Sequence, residues 1–445
     1  MTSGPAAPGA PPAERGRRRG FRTTAGVLTA IMLGGTLPAP LYVLYEAKMG
    51  FGPLGVTVVF AAYVIGTLIA LVAFGDLSDH FGRKKVMAGA IVIAAVSTAI
   101  FLVADSIGVL IVARIISGLG VGFMTGTATA TLAELAGPGG ARRAAVVGSA
   151  ANLGGLGLGP LIAGLFAQYV AAPTHTVFWV YLGMLAVALI VLLAIPETVG
   201  QPDRVFPVHL RVGVPANMRL LMLGACLGVF AAFTLLGLFS SLVPTFLRDV
   251  LGISNLAAVG ATAFLVFAIA AISQAASARL ASRRSVTIGL PLLLASLSGL
   301  EISLFIKAEW LFYLATVATG IAVGLIFRGG LSEINRQADP AHRAQATSTF
   351  FAAGYLGLGL PVVLIGLIGV AVGSVDASAW VSGLIVAIIL TATAVAIRTF
   401  GTTAQATPGP AQPGSAPALE HCDSWCNVRP GSEPPAASAS QSATR

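Results

Sequence analysis

Twelve apolar stretches, each about as long as a bilayer is thick, constrain this chain more than any other feature. They fall at about 24–45, 54–75, 84–104, 107–134, 143–168, 175–195, 218–247, 255–278, 285–306, 309–334, 343–371 and 376–399. A hydrocarbon core of about 30 Å takes roughly 20 helical residues to cross. Strands of a membrane barrel are shorter and alternate in polarity, so these continuous runs predict an all-α membrane protein with twelve transmembrane helices. Composition points the same way. Only 10% of the residues are charged and the mean hydropathy is +0.89, whereas a soluble surface needs about 25% charge to be solvated. Glycine, at 53 of 445 residues, suits helices that must approach closely without a hydrophobic drive between them.

The basic residues set the expected orientation. Of 26 Lys and Arg, 21 lie on one side if the N-terminus is cytoplasmic, and only Lys48, Arg248 and Lys307 lie on the other; Arg114 and Arg328 fall within spans. Such asymmetry is the positive-inside signal. It predicts a multi-pass protein of a bacterial-type inner membrane with both termini cytoplasmic. Dealt out between apolar runs, the net charge of +9 builds no basic face for nucleic acid. Residues 1–22, rich in Pro, Ala and Arg, and the Pro/Ala/Ser/Thr tail at 400–445 are expected to be disordered.

The loop at 196–217, rich in Pro and charge, separates six spans from six. A repeat at a shift of 202 residues supports that division: Gly118 and Gly122 fall on Gly320 and Gly324, Pro138 on Pro340, and Gly155 and Gly157 on Gly357 and Gly359. Pro40 in the first span has a near counterpart, Pro244, in the seventh. The predicted architecture is two pseudo-symmetric six-helix bundles, 23–195 and 218–399, joined by the 196–217 linker. Cys226 reads as a packing residue, and His421, Cys422 and Cys426 match no zinc spacing. No metal, no cofactor and no catalytic constellation is expected, and a monomer is.

Between the second and third spans lies GDLSDHFGRKK, Gly75 to Lys85. Basic flanks alone need no such glycine and acid spacing. The segment resembles the signature loop of the major facilitator superfamily, G-x-L-x-D-R-x-G-R-[KR], through Gly75, Leu77, Asp79, Gly82, Arg83 and Lys84; His80 departs from it. The resemblance implies a cytoplasmic latch between the halves, in which Asp79 engages the positive end of the eleventh span near Arg343. It also implies transport by alternating access.

In the fourth span, LIVARIISGLGVG resembles the family's R-x-x-x-G-x-G motif, with Arg114, Gly118 and Gly120. Counting about 1.5 Å per residue from Asp105 places Arg114 roughly 13 Å deep, where a charge costs about 2.5 kcal/mol or more unless it meets a partner or a polar cavity. Ser117, Thr125 and Thr129 share its helical face. Arg114 is therefore a candidate for substrate contact, for proton coupling, or for a structural hub, with Asn152 as a possible two-point partner. In the fifth span, NLGGLGLGPLIAG resembles the family's antiporter motif through Gly155, Gly159, Pro160 and Gly164; Ala163 replaces one glycine. That resemblance implies export coupled to protons.

No acid falls at mid-depth. A carried proton would have to use Glu46, Glu301 or Glu134, each of which also fits an interfacial anchor. Arg328 either pairs with Glu333 or lines the inner vestibule. The leading expectation is a proton-driven exporter of small, moderately apolar compounds, resembling drug–proton antiporters, with a small-molecule substrate, protons and the lipid bilayer as partners. A facilitator or symporter importing a small metabolite, and a non-transporting membrane sensor, are the alternatives.

Overall fold

The computed structural model describes residues 12–74, 77–137, 139–195, 197, 218–339 and 342–372, and at the C-terminal end 381, 383–392 and 394–395. Within them, eleven helices are long and apolar enough to span a membrane. The expected twelfth span, 376–399, is represented by a shorter apolar helix, Gly383–Ala392. Most of the 196–217 linker and all of the 400–445 tail lie outside the described residues.

The first span is α1 (Pro12–Thr36), a 3-10 turn at Ala39–Leu41, and α2 (Tyr42–Met49). Pro38 and Pro40, which carry no N–H, interrupt it there. The helices α3 (Pro53–Ala73), α4 (Leu77–Phe81), α5 (Arg83–Leu102), α6 (Ile107–Ala136), α7 (Ala141–Tyr169) and α8 (Pro173–Leu193) complete the first half. The second contains α9 (Arg219–Ser241), α10 (Val243–Asp249), α11 (Leu256–Ala276), α12 (Ser282–Ile306), α13 (Glu309–Gln337) and α14 (Arg343–Val372). The α9–α10 break falls beside Pro244, the counterpart of the break at Pro40.

The N-terminal segment corrects one expectation. Residues 12–22 are helical rather than disordered, because Phe21 and Gly20 are buried and the Arg143 guanidinium lies over the Phe21 ring at 4.9 Å. These contacts carry the helix of the first span outward into its arginine-rich leader.

Side chains such as Trp179, Ile190, Phe305 and Trp310 stand largely exposed on the outer helices. An apolar belt of this extent suits lipid and not water. Inside, the 202-residue repeat recurs as contacts. Gly118 and Gly122 of α6 abut Tyr63 and Thr67 of α3, while Gly320 and Gly324 of α13 abut Val266 and Ala270 of α11. Gly155 of α7 sits on Thr29 of α1, and Gly357 of α14 on Phe230 of α9. Two crossings join the halves, α7 on α11 and α3 on α14. Gly157 meets Phe264 and Phe267 in the first, and Gly359 meets Val64 in the second.

Prolines inside the paired helices show the same symmetry at atomic detail. Pro160 in α7 leaves the Leu156 carbonyl without its helical donor. The Thr36 hydroxyl of α1 donates to that carbonyl at 2.6 Å. Pro361 in α14 does the same to the Gly357 carbonyl, which accepts from the Thr234 hydroxyl of α9 at 3.1 Å. Each gap in one helix is thus filled from the helix packed beside it.

Candidate functional site

Where the two halves face each other, a cavity of about 300 Å³ is lined by α1, α3, α6, α7, α9, α11, α13 and α14. It reaches from Gly35 and Thr36, midway along the first span, and Ser240, near the end of α9, to Ala133, Ala141, Gln274 and Leu331, near the helix ends that carry residues 77–85. At the opposite end the halves are joined. There Gly164 of α7 packs on Leu256 and Gly260, Gln168 accepts from the Leu256 N–H at 2.9 Å, and Gly366 of α14 packs on Thr57. The 3-10 turn at Ala39–Leu41 packs against α7, α9 and α11 at that same end. The cavity therefore faces the arginine-rich side.

Its wall carries seven aromatic rings, those of Phe60, Tyr63, Phe233, Phe267, Phe327, Phe351 and Tyr355, and no charged side chain. Beyond the two tyrosines, polar side chains are few: Thr36, Thr125, Thr129, Ser149, Asn152, Ser240 and Gln274. Asn152 and Thr125 converge on the Met32 sulfur, at 3.4 and 3.9 Å. Of the residues singled out in the sequence, Thr125, Thr129 and Asn152 thus line the cavity together.

Arg114 does not. It is fully buried one layer behind the wall, where Nη1 donates to the Gly35 carbonyl at 2.7 Å. Its guanidinium lies 4.6 Å from the centre of the Tyr63 ring and 5.8 Å from that of Phe60. Cation–π contact of this kind offsets part of the cost of a desolvated charge. Asn152 is not its partner, and Ser117 lines a separate small recess with Tyr181 and Phe178.

The latch residues form a network, except that Gly75 lies outside the described residues. Gly82 adopts a φ of +94°, open to glycine at little cost, and turns α4 into α5. Arg83 pairs with Asp79 at 2.5 Å and with Glu134 of α6 at 2.9 Å. Asp79 is thus engaged by Arg83, its neighbour one turn on. Glu134, expected as a cavity or proton group, belongs to this network. Pattern reading missed Glu197. Its two oxygens accept from the backbone N–H groups of Arg83 and Lys84, both at 3.0 Å, while Lys84 Nζ donates to the Leu193 carbonyl at 2.7 Å. The start of α5 and the segment after α8 cap each other.

Arg328 takes neither expected role. It donates to Ser285 Oγ and to the Leu280 carbonyl, both at 2.9 Å. Glu333 instead pairs with Arg336 and accepts from Gln337.

The glycines of the fifth-span motif are contact points. Gly155 meets Thr29 and Met32, Gly159 meets Leu33 and Thr36, and Gly164 meets α11.

The model of the Major Facilitator Superfamily matches residues 24–357. The chain belongs to this superfamily. Its members are transporters and not enzymes. Among superfamily relatives, a triacylglyceride transporter of Mycolicibacterium hassiacum is 31% identical over 156 residues, 34% of this chain and 28% of that protein. The arabinose-proton symporter of Bacillus subtilis is 34% identical over 80 residues, 18% of this chain and 17% of its own. The matched stretches thus span well under half of these relatives. Among solved superfamily structures, the human organic anion transporter TETRAN superposes with a TM-score of 0.62 at 18% identity, covering 87% of this chain and all of its own. The nucleoside transporter NupG does so with a TM-score of 0.66 at 12% identity, covering 85% and 99%. At these identities the likeness is one of fold.

Proposed function

We propose that this protein is a secondary transporter that exports small compounds with a large apolar body, by alternating access and in exchange for protons. One observation carries the reading: a cavity of about 300 Å³ between the halves, walled by aromatic rings, free of charge, and facing the arginine-rich side. By the positive-inside rule that side is the cytoplasm, so cargo is loaded from within. The units that rock are the bundles 23–195 and 218–399, tethered by 196–217. A sugar would leave most of its hydroxyls unpaired against this wall, at a cost of about 1–3 kcal/mol each. The lipid transporter is therefore the better guide to cargo than the sugar symporter.

The proton belongs to Glu134. It is the acid next to Ala133 at the cavity mouth, and it holds Arg83. Neutralising Glu134 takes from Arg83 one of its two carboxylate partners, leaving Asp79, and so shifts the balance between inward- and outward-facing states.

The test is flux of aromatic and aliphatic solutes in proteoliposomes carrying a pH-sensitive dye. Export with counter-movement of protons is expected, with coupling lost in Glu134→Gln. Co-movement of protons and solute would favour symport, and flux indifferent to a pH gradient would favour a facilitator. Absence of flux for every solute class would favour the sensor.

A further inference from the structure

Arg114 is fully buried, and only one of its nitrogens has a partner in the protein. With Nη1 spent on the Gly35 carbonyl, Nε and Nη2 find no acceptor among the described residues. These two nitrogens share one edge of the guanidinium. Their N–H bonds run parallel, the arrangement that fits the two oxygens of a carboxylate. The hydroxyls of Tyr42 and Tyr45, in the first span, are also buried and without a hydrogen-bond partner among the described residues. Tyr42 lies close enough to feel the charge of Arg114, and Tyr45 lies next to Tyr42.

A buried polar group without a partner costs about 1–3 kcal/mol, and more when it is charged. Two unpartnered nitrogens on a buried cation, and two unpartnered hydroxyls of which the nearer lies within reach of its charge, are too many for packing alone to explain. All four can donate a hydrogen bond, and no acid among the described residues pairs with Arg114. What such a cluster lacks is an acceptor that carries negative charge.

We propose that Arg114, Tyr42 and Tyr45 form a carboxylate subsite, so that the cargo is an amphipathic acid whose apolar body fills the aromatic cavity. This rests on the cavity reading above and adds the chemical class of the substrate. The wall between the two regions is one residue deep: Gly35, Tyr63 and Phe60 line the cavity and touch Arg114 on their other side. In this inward-facing arrangement the Tyr63 ring covers the guanidinium. The carboxylate reaches Arg114 as the cavity closes around the cargo and that ring gives way. Its contact is then made in the closed state and not in the open one, which is the differential affinity that drives a conformational change. A water molecule could satisfy the same nitrogens but would supply no charge, and this difference makes the proposal testable.

The experiment measures binding to the purified full-length protein in nanodiscs. The probes are 2-naphthoate and decanoate, each paired with its primary amide, a neutral molecule of nearly the same shape. In the unmodified protein each acid should bind about 10- to 100-fold more tightly than its amide, as a charge-assisted bidentate contact does. Arg114→Lys keeps the charge but loses the fork. It should cut acid affinity by about tenfold or more and leave amide affinity within about twofold. Tyr42→Phe, a milder change that spares the helix, should weaken the acids alone by about three- to tenfold. Equal binding of acid and amide overturns the carboxylate subsite and leaves the cavity reading standing. So does a loss in Arg114→Lys that is the same for both probes. No binding of any probe overturns both readings. If Arg114→Lys does not fold, discrimination in the unmodified protein and its loss in Tyr42→Phe decide the matter.

Discussion

Replacing Thr36 by Val tests whether the proline gap in α7 is filled from α1. Valine keeps the shape and β-branching of threonine and removes only the hydroxyl. Thr36 is buried, and its hydroxyl donates to Leu156 O at 2.6 Å, the carbonyl that Pro160 leaves without a helical donor. Interhelical hydrogen bonds in membrane proteins are worth about 0.6 kcal/mol on average and up to about 1.7 kcal/mol. A carbonyl stranded in an apolar interior lies toward the upper end of that range, so Thr36→Val should cost about 1–2 kcal/mol. With the six-helix half as the melting unit, at about 2–4 °C per kcal/mol, Tm in detergent should fall by about 2–8 °C. Pro160→Ala supplies the decisive control. It returns an N–H to position 160, so Leu156 O regains its own helical donor and no longer needs Thr36. In that background Thr36→Val should cost little, and the double-mutant cycle should show a coupling of about 1 kcal/mol. The same loss with and without Pro160 would refute the reasoning, and Thr36 would then matter through packing alone.

Thr234→Val should behave likewise against Pro361→Ala, through Gly357 O in the other half. Glu197→Gln should cost about 1 kcal/mol and so lower Tm by about 2–4 °C, because one carboxylate caps two N–H groups at the start of α5; an unchanged Tm would make that contact incidental. Asp79→Asn leaves Arg83 with Glu134, so it should alter the labelling rate of a cysteine placed at Ala141, in the cavity mouth, without lowering expression; an unchanged rate would reduce Asp79 to a surface anchor. Gly164→Leu should abolish flux while the chain still inserts, since any side chain there collides with α11; normal flux would show that the crossing at Gly260 is not needed for closure.

Helix number, spacing and the repeat were legible because a bilayer leaves a chain few options and writes them as apolar runs. The glycines at 118, 122, 155 and 157 and their partners 202 residues on were equally legible, since small residues at fixed spacing mean close crossings. What the sequence hid were choices made between helices. Arg114 shares a helical face with Thr125, yet the fold turns the threonine into the cavity and leaves the arginine behind Tyr63. A helical wheel has no information about a neighbouring ring. Glu134 resembled a proton carrier, and nothing in the sequence showed that α4 and α5 bring Arg83 to it. Arg328 has an acid five residues on, yet the Leu280 carbonyl before α12 and Ser285 in its first turn take it instead. Glu197 carried no signal at all, for its work depends on where α5 begins in space. Proline had a hidden consequence too. Pro160 and Pro361 mark interruptions in any reading, but nothing local to them names Thr36 or Thr234 as the donors.

A wall without ionised groups has a consequence for energetics across a polarised membrane. When the empty protein reorients, the compartment that passes from one face to the other carries no charge through the field. Any voltage dependence of the return stroke therefore comes from the proton that it carries back. An anionic passenger alters this, because the voltage then acts on the passenger itself, at about 2.3 kcal/mol per elementary charge per 100 mV. With the cell interior negative, that force points outward. A carboxylate would be helped out of the cell by the same potential that leaves its neutral amide unmoved.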